Sequence, residues 1–460
     1  MNTSITAQYL ERYRRVAEGA GAPAGLLPVT GAQRRFVVAR HLDAGRRAAL
    51  VPLFFAFPRG AVDPERLRRA AALLAAAHPA LRARPYVLRG LPVQRLQAPA
   101  ASVRRVRQLP GEGAADALRR ALAEWPEDGP PLRLLLTEAT AAETGAPGAG
   151  EAPGAPMEVL ALVLDHAVCD EQSLGLLSAG LADAYARRLG PEDVPADRAR
   201  DDADAYAEAL RLQLDAERRA SAPGSLAHWT RRLSLGRSVG RPVFVPDTGR
   251  PTGALSARLP LPDGHAARAV AFPALLDACG TAARALSGGT GVPGGTGDAG
   301  AAGGDAAGEE RTPLLGYPWG GRPAQAPPVL GCFLNTVVHP AGGGEDPEAA
   351  ADAWWDDLDH ADTPFDEVVR AARAAGVPWA GSLDGLLTFE DLGRRPPLRL
   401  GDAQGHEIHI DGRPLQAPFT VAVSYGTDLL VRMAWDHGAL PRERAEAAFE
   451  LLTAALRAHP

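Results

Sequence analysis

Lysine is absent from this sequence: all 49 basic residues among its 460 are arginine. Alanine, glycine and proline are abundant, so the bias is read as genomic and says little about mechanism. Cysteine is scarce. Cys169, Cys279 and Cys332 are scattered without metal-ligand spacing, and one is necessarily odd. That pattern argues for a reducing compartment, and a cytoplasmic location is expected. No stretch approaches the roughly 20 uninterrupted apolar residues of a membrane span. The opening MNTSITAQYLERYRRV is amphipathic and charged, without the apolar centre of a signal peptide. Excess positive charge is missing too. The formal net charge is -6 and no arginine run alternates with aromatics, which speaks against a nucleic-acid binder. Neither a strand–GxGxxG–helix nor a GxxxxGK[ST] arrangement is present, so a phosphate cradle is not expected.

What remains is the composition of an ordinary globular protein, 46% apolar and 23% charged. Its length predicts about two domains. The chain is organised around Met157 to Leu177. Met157 to Leu164 is almost unbroken apolar sequence and reads as a buried strand. A polar cluster follows, with Asp165, His166, Cys169, Asp170, Glu171, Gln172 and Ser173. Leu174, Leu177 and Leu181 then return at helical spacing. A histidine thus stands at the C-terminal end of a core strand, with an aspartate four residues on at the start of a helix. Function in layered α/β folds collects at such places. The plainer alternative makes His166 a strand-end residue and Asp170 a helix cap.

In chain order, helices are expected over Ile5 to Glu18, Arg34 to His41, Asp63 to Ala77 (Asp cap, then Pro64 at the first position) and Asp116 to Glu124. Ala49 to Phe57 is a strand whose Pro52 suits an edge or bulge. Leu132 to Leu136 and Val159 to Leu164 read as neighbouring strands joined across the Gly- and Pro-rich run from Gly145. Later come helices over Asp202 to Arg219, Leu226 to Leu233, Phe272 to Leu286, Pro347 to Leu358 and Pro441 to Leu456. Strands are expected at Ala254 to Leu259, Thr312 to Tyr317, Gly331 to His339, Gly385 to Phe389, Thr420 to Ser424 and Leu429 to Trp435. Ser287 to Glu310, dominated by Gly and Ala, reads as a disordered surface insertion.

These pieces resemble the condensation domains of nonribosomal peptide synthetases, within the chloramphenicol-acetyltransferase-like acyltransferases. The matches run in family order over nearly the whole chain. They are the opening motif at Leu27 to Gln33, the helix ending in HxxLR at Asp63 to Arg82, Val93-Gln94, and the HHxxxDG region at Asp165 to Glu171. His228-Trp229, Gly321-Arg322, Gly331 to Thr336 and Asp362 to Phe365 complete the series. The resemblance implies an α/β fold of two-layer sandwiches: two acetyltransferase-like subdomains in a V-shaped pseudo-dimer with a tunnel between them. The first would cover residues 1–177 and the second 178–460, with crossover segments near 321–330 and 392–418.

Residue by residue, the second motif histidine falls on His166 and the structural aspartate on Asp170. Asp165 replaces the first histidine and Glu171 the glycine. Both departures bear on the site. Asp165 adds a negative charge beside His166, and Glu171 removes a residue that tolerates positive φ. The implied reaction moves an acyl or aminoacyl group from the phosphopantetheine thioester of a carrier protein to an amine or, in second place, a hydroxyl, in natural-product biosynthesis. His166 would be the catalyst, Asp170 a loop anchor with Arg322 as its partner, and Cys169 a small buried residue. No metal or nucleotide would be needed, and the donor would arrive on an acyl or peptidyl carrier protein acting in trans. Two alternatives stand beside this: a catalytically silent domain that recruits a tailoring enzyme, and an acyltransferase using coenzyme A.

Replacing Ser287 to Glu310 with a short Gly-Ser bridge is expected to leave thermal stability and turnover nearly intact, because surface loop length contributes little to stability. A drop of many degrees in melting temperature would show that the segment is packed.

Overall fold

The computed structural model describes residues 4–19, 25–42, 49–126, 129–145, 154–234, 244–246, 250–261, 272–287, 312–342, 347–377 and 379–458. The expected insertion, beyond Ser287, and most of the Gly-rich run after Gly145 lie outside them. The chain divides into two compact units. One comprises Met1–Ser221, Gly320–Asn335 and Gly393–Ile410, and the other Ala222–Trp319, Thr336–Leu392 and Asp411–Pro460.

The first unit is built on a five-stranded sheet in the order His406–Ile408, Leu50–Pro58, Pro156–Asp165, Leu132–Thr140, Ser102–Arg105. The pairing is antiparallel except for the last, parallel pair. Both faces of this sheet are covered, which explains the unbroken apolar run in the central strand. Leu160, Leu162 and Leu164 face a core closed by the helices Pro64–Ala77 and Glu171–Arg187. Val159, Ala161 and Val163 face a second core closed by Ala114–Ala123. Pro52 is accommodated because His406–Ile408 pairs only with Phe54 to Ala56, so no strand meets Pro52 on that side.

This unit extends past the boundary expected at Leu177. The helix Ala196–Ala220 buries Tyr206, Ala209 and Leu210 in the same core as the central strand. It begins six residues before the expected start, with Pro195 supplying the extended residue before the first turn. Its C-terminal end does a second job. Glu217 accepts from the Gly31 N–H with both carboxylate oxygens, at 2.9 and 3.1 Å. Gly31 opens the helix Gly31–Leu42, so the carboxylate satisfies a free N–H at a helix N-terminus. Arg34 of that helix lies 3.7 Å from Glu217, both nearly buried.

The second unit carries a six-stranded sheet in the order Asn335–Pro340, Leu314–Trp319, Gly385–Asp391, Phe419–Tyr425, Asp428–Trp435, Gly253–Pro260. Its core lies against the helices Phe272–Ser287 and Arg442–Ala458, through Leu275, Leu276, Cys279, Ala445, Ala448 and Leu452. The His228-Trp229 pair of the sequence sits in this unit as a clamp. Trp229 Nε1 donates to the His360 carbonyl at 3.1 Å, and His228 Nε2 and Arg232 Nε meet the buried Asp357 carboxylate at 2.9 and 3.1 Å.

One expected strand is shorter than its apolar pattern. Of Gly331 to His339, only the part from Asn335 is a strand. The backbone before it is used otherwise: Gly331 N–H donates to Ser173 Oγ at 3.1 Å and Phe333 N–H to Asp170 Oδ2 at 3.2 Å. Apolar sequence predicted burial here correctly, but side chains, not a neighbouring strand, take up the N–H groups.

Glu217→Ala removes the carboxylate from a buried pair and is expected to lower the unfolding free energy by about 3–5 kcal/mol in chemical denaturation. Replacing both partners, as Arg34→Met with Glu217→Met, is expected to recover most of that loss. A double variant as unstable as the single one would show that the ion pair is not the source.

Candidate functional site

The strand Pro156–Asp165 ends in a tight 3-10 turn, His166–Val168, and the helix Glu171–Arg187 begins after two intervening residues. Asp170 caps that helix. Its Oδ1 accepts from the Ser173 N–H at 3.0 Å and from Ser173 Oγ at 2.8 Å. The same carboxylate receives Arg322 Nη2 at 2.6 and 2.7 Å and Nε at 3.2 Å, with Phe333 N–H at 3.2 Å. Arg322 in turn donates through Nη1 to the Val329 carbonyl at 2.6 Å and lies over the Phe333 ring. The pair is nearly buried, at 9% and 5% exposure. Such burial is tolerable because every part of the carboxylate is met by a donor.

Further polar groups hold the turn from behind. Gln33 Nε2 donates to the Ala167 carbonyl at 2.8 Å, while Gln33 Oε1 accepts from the Thr30 N–H at 3.0 Å. Thr30 Oγ1 donates to the Cys332 carbonyl at 3.0 Å. Gln94, buried within hydrogen-bond reach of Gln33, donates to the Pro28 carbonyl and accepts from the Tyr206 hydroxyl at 3.1 Å. The opening motif and Val93-Gln94 of the sequence thus meet the histidine turn in one buried network. Burial pushes the Tyr206 hydroxyl up to about 12, so it stays a proton donor.

His166 is partly exposed. Its Nδ1 lies 3.2 Å from the Cys169 carbonyl. A carbonyl can only accept, so Nδ1 carries the proton and Nε2 keeps its lone pair. Nε2 makes no hydrogen bond to another described residue. Burial holds the imidazole below its usual value of about 6.5, opposed by the Cys169 carbonyl and by the charges of Asp165 and Asp170. At neutral pH it is therefore uncharged and able to accept a proton.

Asp165, in the place of the motif's first histidine, does not point its charge freely at His166. Arg40 Nη2 holds both of its oxygens at 2.6 and 2.7 Å, and the Ala167 N–H donates to Oδ1 at 2.9 Å. Glu171 is exposed, in the first turn of its helix, where a negative charge is favourable. Cys169 is buried, with its Sγ–H 3.6 Å from the Asp165 carbonyl, and burial pushes the thiol well above its ordinary range. It is no nucleophile at neutral pH. The structure thus brings His166, Asp165, Asp170 and Arg322 together around one turn. Sequence reading missed Arg40 and Phe36, whose ring centroid lies 5.1 Å from that of His166. Their spacing puts both on one face of the helix Gly31–Leu42 but does not name the partner. Among the described residues no group of three or more His, Cys, Asp or Glu is placed to hold a metal, and no helix is long and apolar enough to cross a membrane.

Asp170→Ala leaves Arg322 nearly buried without its carboxylate. It is expected to cost about 3–5 kcal/mol of stability, seen in denaturant titration, as well as activity. A variant that melts normally and loses only turnover would place Asp170 in the chemistry instead.

No family model matches the chain, and no curated protein does. Solved structures do match. The first condensation domain of the calcium-dependent antibiotic synthetase, in complex with a substrate analogue, superposes with a TM-score of 0.66 at 18% identity, over 94% of this chain and 96% of that one. The same domain in a second structure gives 0.64 at 18%, over 94% and 96%. The complex of the X-domain and OxyB from teicoplanin biosynthesis contains a match with a TM-score of 0.62 at 16% identity, covering 96% and 94%. The chain has the condensation-domain fold, a mixed α/β architecture.

Proposed function

We propose that the protein transfers an acyl or aminoacyl group from a carrier-protein phosphopantetheine thioester to an amine, forming an amide, or to a hydroxyl, forming an ester. The carrying observation is the placement of His166 at the end of the central strand, with Nδ1 3.2 Å from the Cys169 carbonyl, so that this nitrogen is the donor and the Nε2 lone pair is left for chemistry. The condensation-domain fold supports the same reading by analogy.

A thioester needs no activation, so a single positioned base suffices. As the amine nitrogen attacks the thioester carbonyl carbon, Nε2 takes its proton and the carbonyl oxygen becomes an oxyanion. Collapse of the tetrahedral species reforms the carbonyl and breaks the carbon–sulfur bond. The imidazolium then returns the proton to the departing thiolate. Asp170 and Arg322 take no part in these transfers; they fix the backbone that presents His166.

Recruitment of a tailoring enzyme by a silent domain is the second reading, motivated by Asp165 and Glu171. Arg40 holds Asp165 and Glu171 is exposed, which favours the catalytic reading.

His166→Ala is expected to fold normally, to bind the carrier protein, and to lose about 10²- to 10⁴-fold in transfer rate, the usual worth of a positioned acid–base group. Cys169→Ala should lose far less. The measurement is mass-spectrometric product formation from carrier-bound and coenzyme-A-bound donors with a panel of small amines and alcohols. Full activity in His166→Ala contradicts the assignment. Absence of turnover by the unaltered protein with every donor, alongside tight binding to a tailoring enzyme, would establish recruitment in place of catalysis.

A further inference from the structure

The helix Gly31–Leu42 touches the His166 turn at three points. Gln33 donates to the Ala167 carbonyl, Phe36 lies against the imidazole with a 30° tilt, and Arg40 grips Asp165. Offsets of three and seven residues put these side chains on one helical face. The contact is therefore a continuous support and not a chance surface pair. The Arg40–Asp165 pair is only partly exposed, at 21% and 14%. That limits solvent screening of the charges.

Each of the two carboxylates beside the imidazole has an arginine partner. On its own turn stand Asp165 and Asp170, and each alone would stabilise the imidazolium. Asp170 is matched by Arg322. Asp165 is matched by Arg40, and Arg84 of the strand Ala83–Leu88 also feels its charge. Glu171 is exposed, and the Cys169 thiol is neutral. Arg40 and Asp165 are 125 residues apart in sequence, and the match is made only by folding.

We propose that Arg40 is a positioning residue that acts through Asp165: it cancels the carboxylate charge beside His166 and so keeps the imidazole in its proton-accepting form at neutral pH. An acidic residue in the first motif position is thereby made compatible with a histidine base. The proposal rests on His166 serving as that base, but the protonation it describes is measurable without turnover.

The test is an NMR pH titration of the full chain labelled with ¹⁵N-histidine, with His166→Gln identifying the resonance by its loss. Arg40→Gln should raise the His166 pKa by about 0.5 to 1 pH unit, the size of one uncompensated charge at short range in a half-solvated site. Arg40→Lys, which keeps the charge, should stay close to the unaltered protein. Asp165→Asn should lower the pKa, and adding Arg40→Gln to it should change little more. In the transfer assay, the acidic limb of the pH–rate profile should move in the same directions. An unchanged or lowered His166 pKa in folded Arg40→Gln overturns the proposal. Should that variant fail to fold, an unchanged pKa in folded Asp165→Asn overturns it equally. Failure of transfer appears in the assay and failure of this proposal in the titration, so the two are distinguishable.

Discussion

The salt bridge between Asp170 and Arg322 is the constraint on which the site depends. It joins residues 152 positions apart, caps a core helix and fixes the backbone on both sides. A buried ion pair is a poor source of stability when its remaining donors and acceptors go unmet. Here Ser173, Phe333 and Val329 meet them. The segment Gly320–Asn335 is held against the first unit's core by this contact and by Leu330 and Phe333. Removing either charge would loosen the turn that carries His166.

Around this anchor the protein has placed polar groups where an apolar core would pack more simply. Gln33, Gln94, Thr30 and Tyr206 form a buried chain behind the turn, and buried networks of this kind rigidify only when every member is satisfied. The effect is directional. The network fixes the peptide of Ala167, while the Cys169 carbonyl fixes the imidazole tautomer. Loop, ring and proton are then set by separate contacts. Nε2 is the ring nitrogen that no other described residue takes up.

Much of this was legible in the sequence because it was written locally. The apolar run Met157 to Leu164 predicted a buried strand, and Asp63-Pro64 predicted a capped helix start, since cap and apolar run involve neighbours along the chain. The pairing of Asp170 with Arg322 followed only from the family resemblance. Arg40 had no such cue. In a chain whose every basic residue is arginine, one guanidinium carries no mark of its partner. Apolarity also misled at Gly331 to Leu334, where burial was read correctly but the N–H partners were side chains at the start of the helix Glu171–Arg187. The extent of the first unit was hidden for a similar reason, because the helix Ala196–Ala220 shows its apolar stripe but not which core receives it.

The most direct test concerns the proton on His166. In long-range ¹H–¹⁵N correlation spectra of the ¹⁵N-histidine-labelled protein near neutral pH, Nδ1 should be protonated and Nε2 bare, as donation to the Cys169 carbonyl requires. A protonated Nε2, or an imidazolium persisting at that pH, would contradict the assignment of His166 as the base.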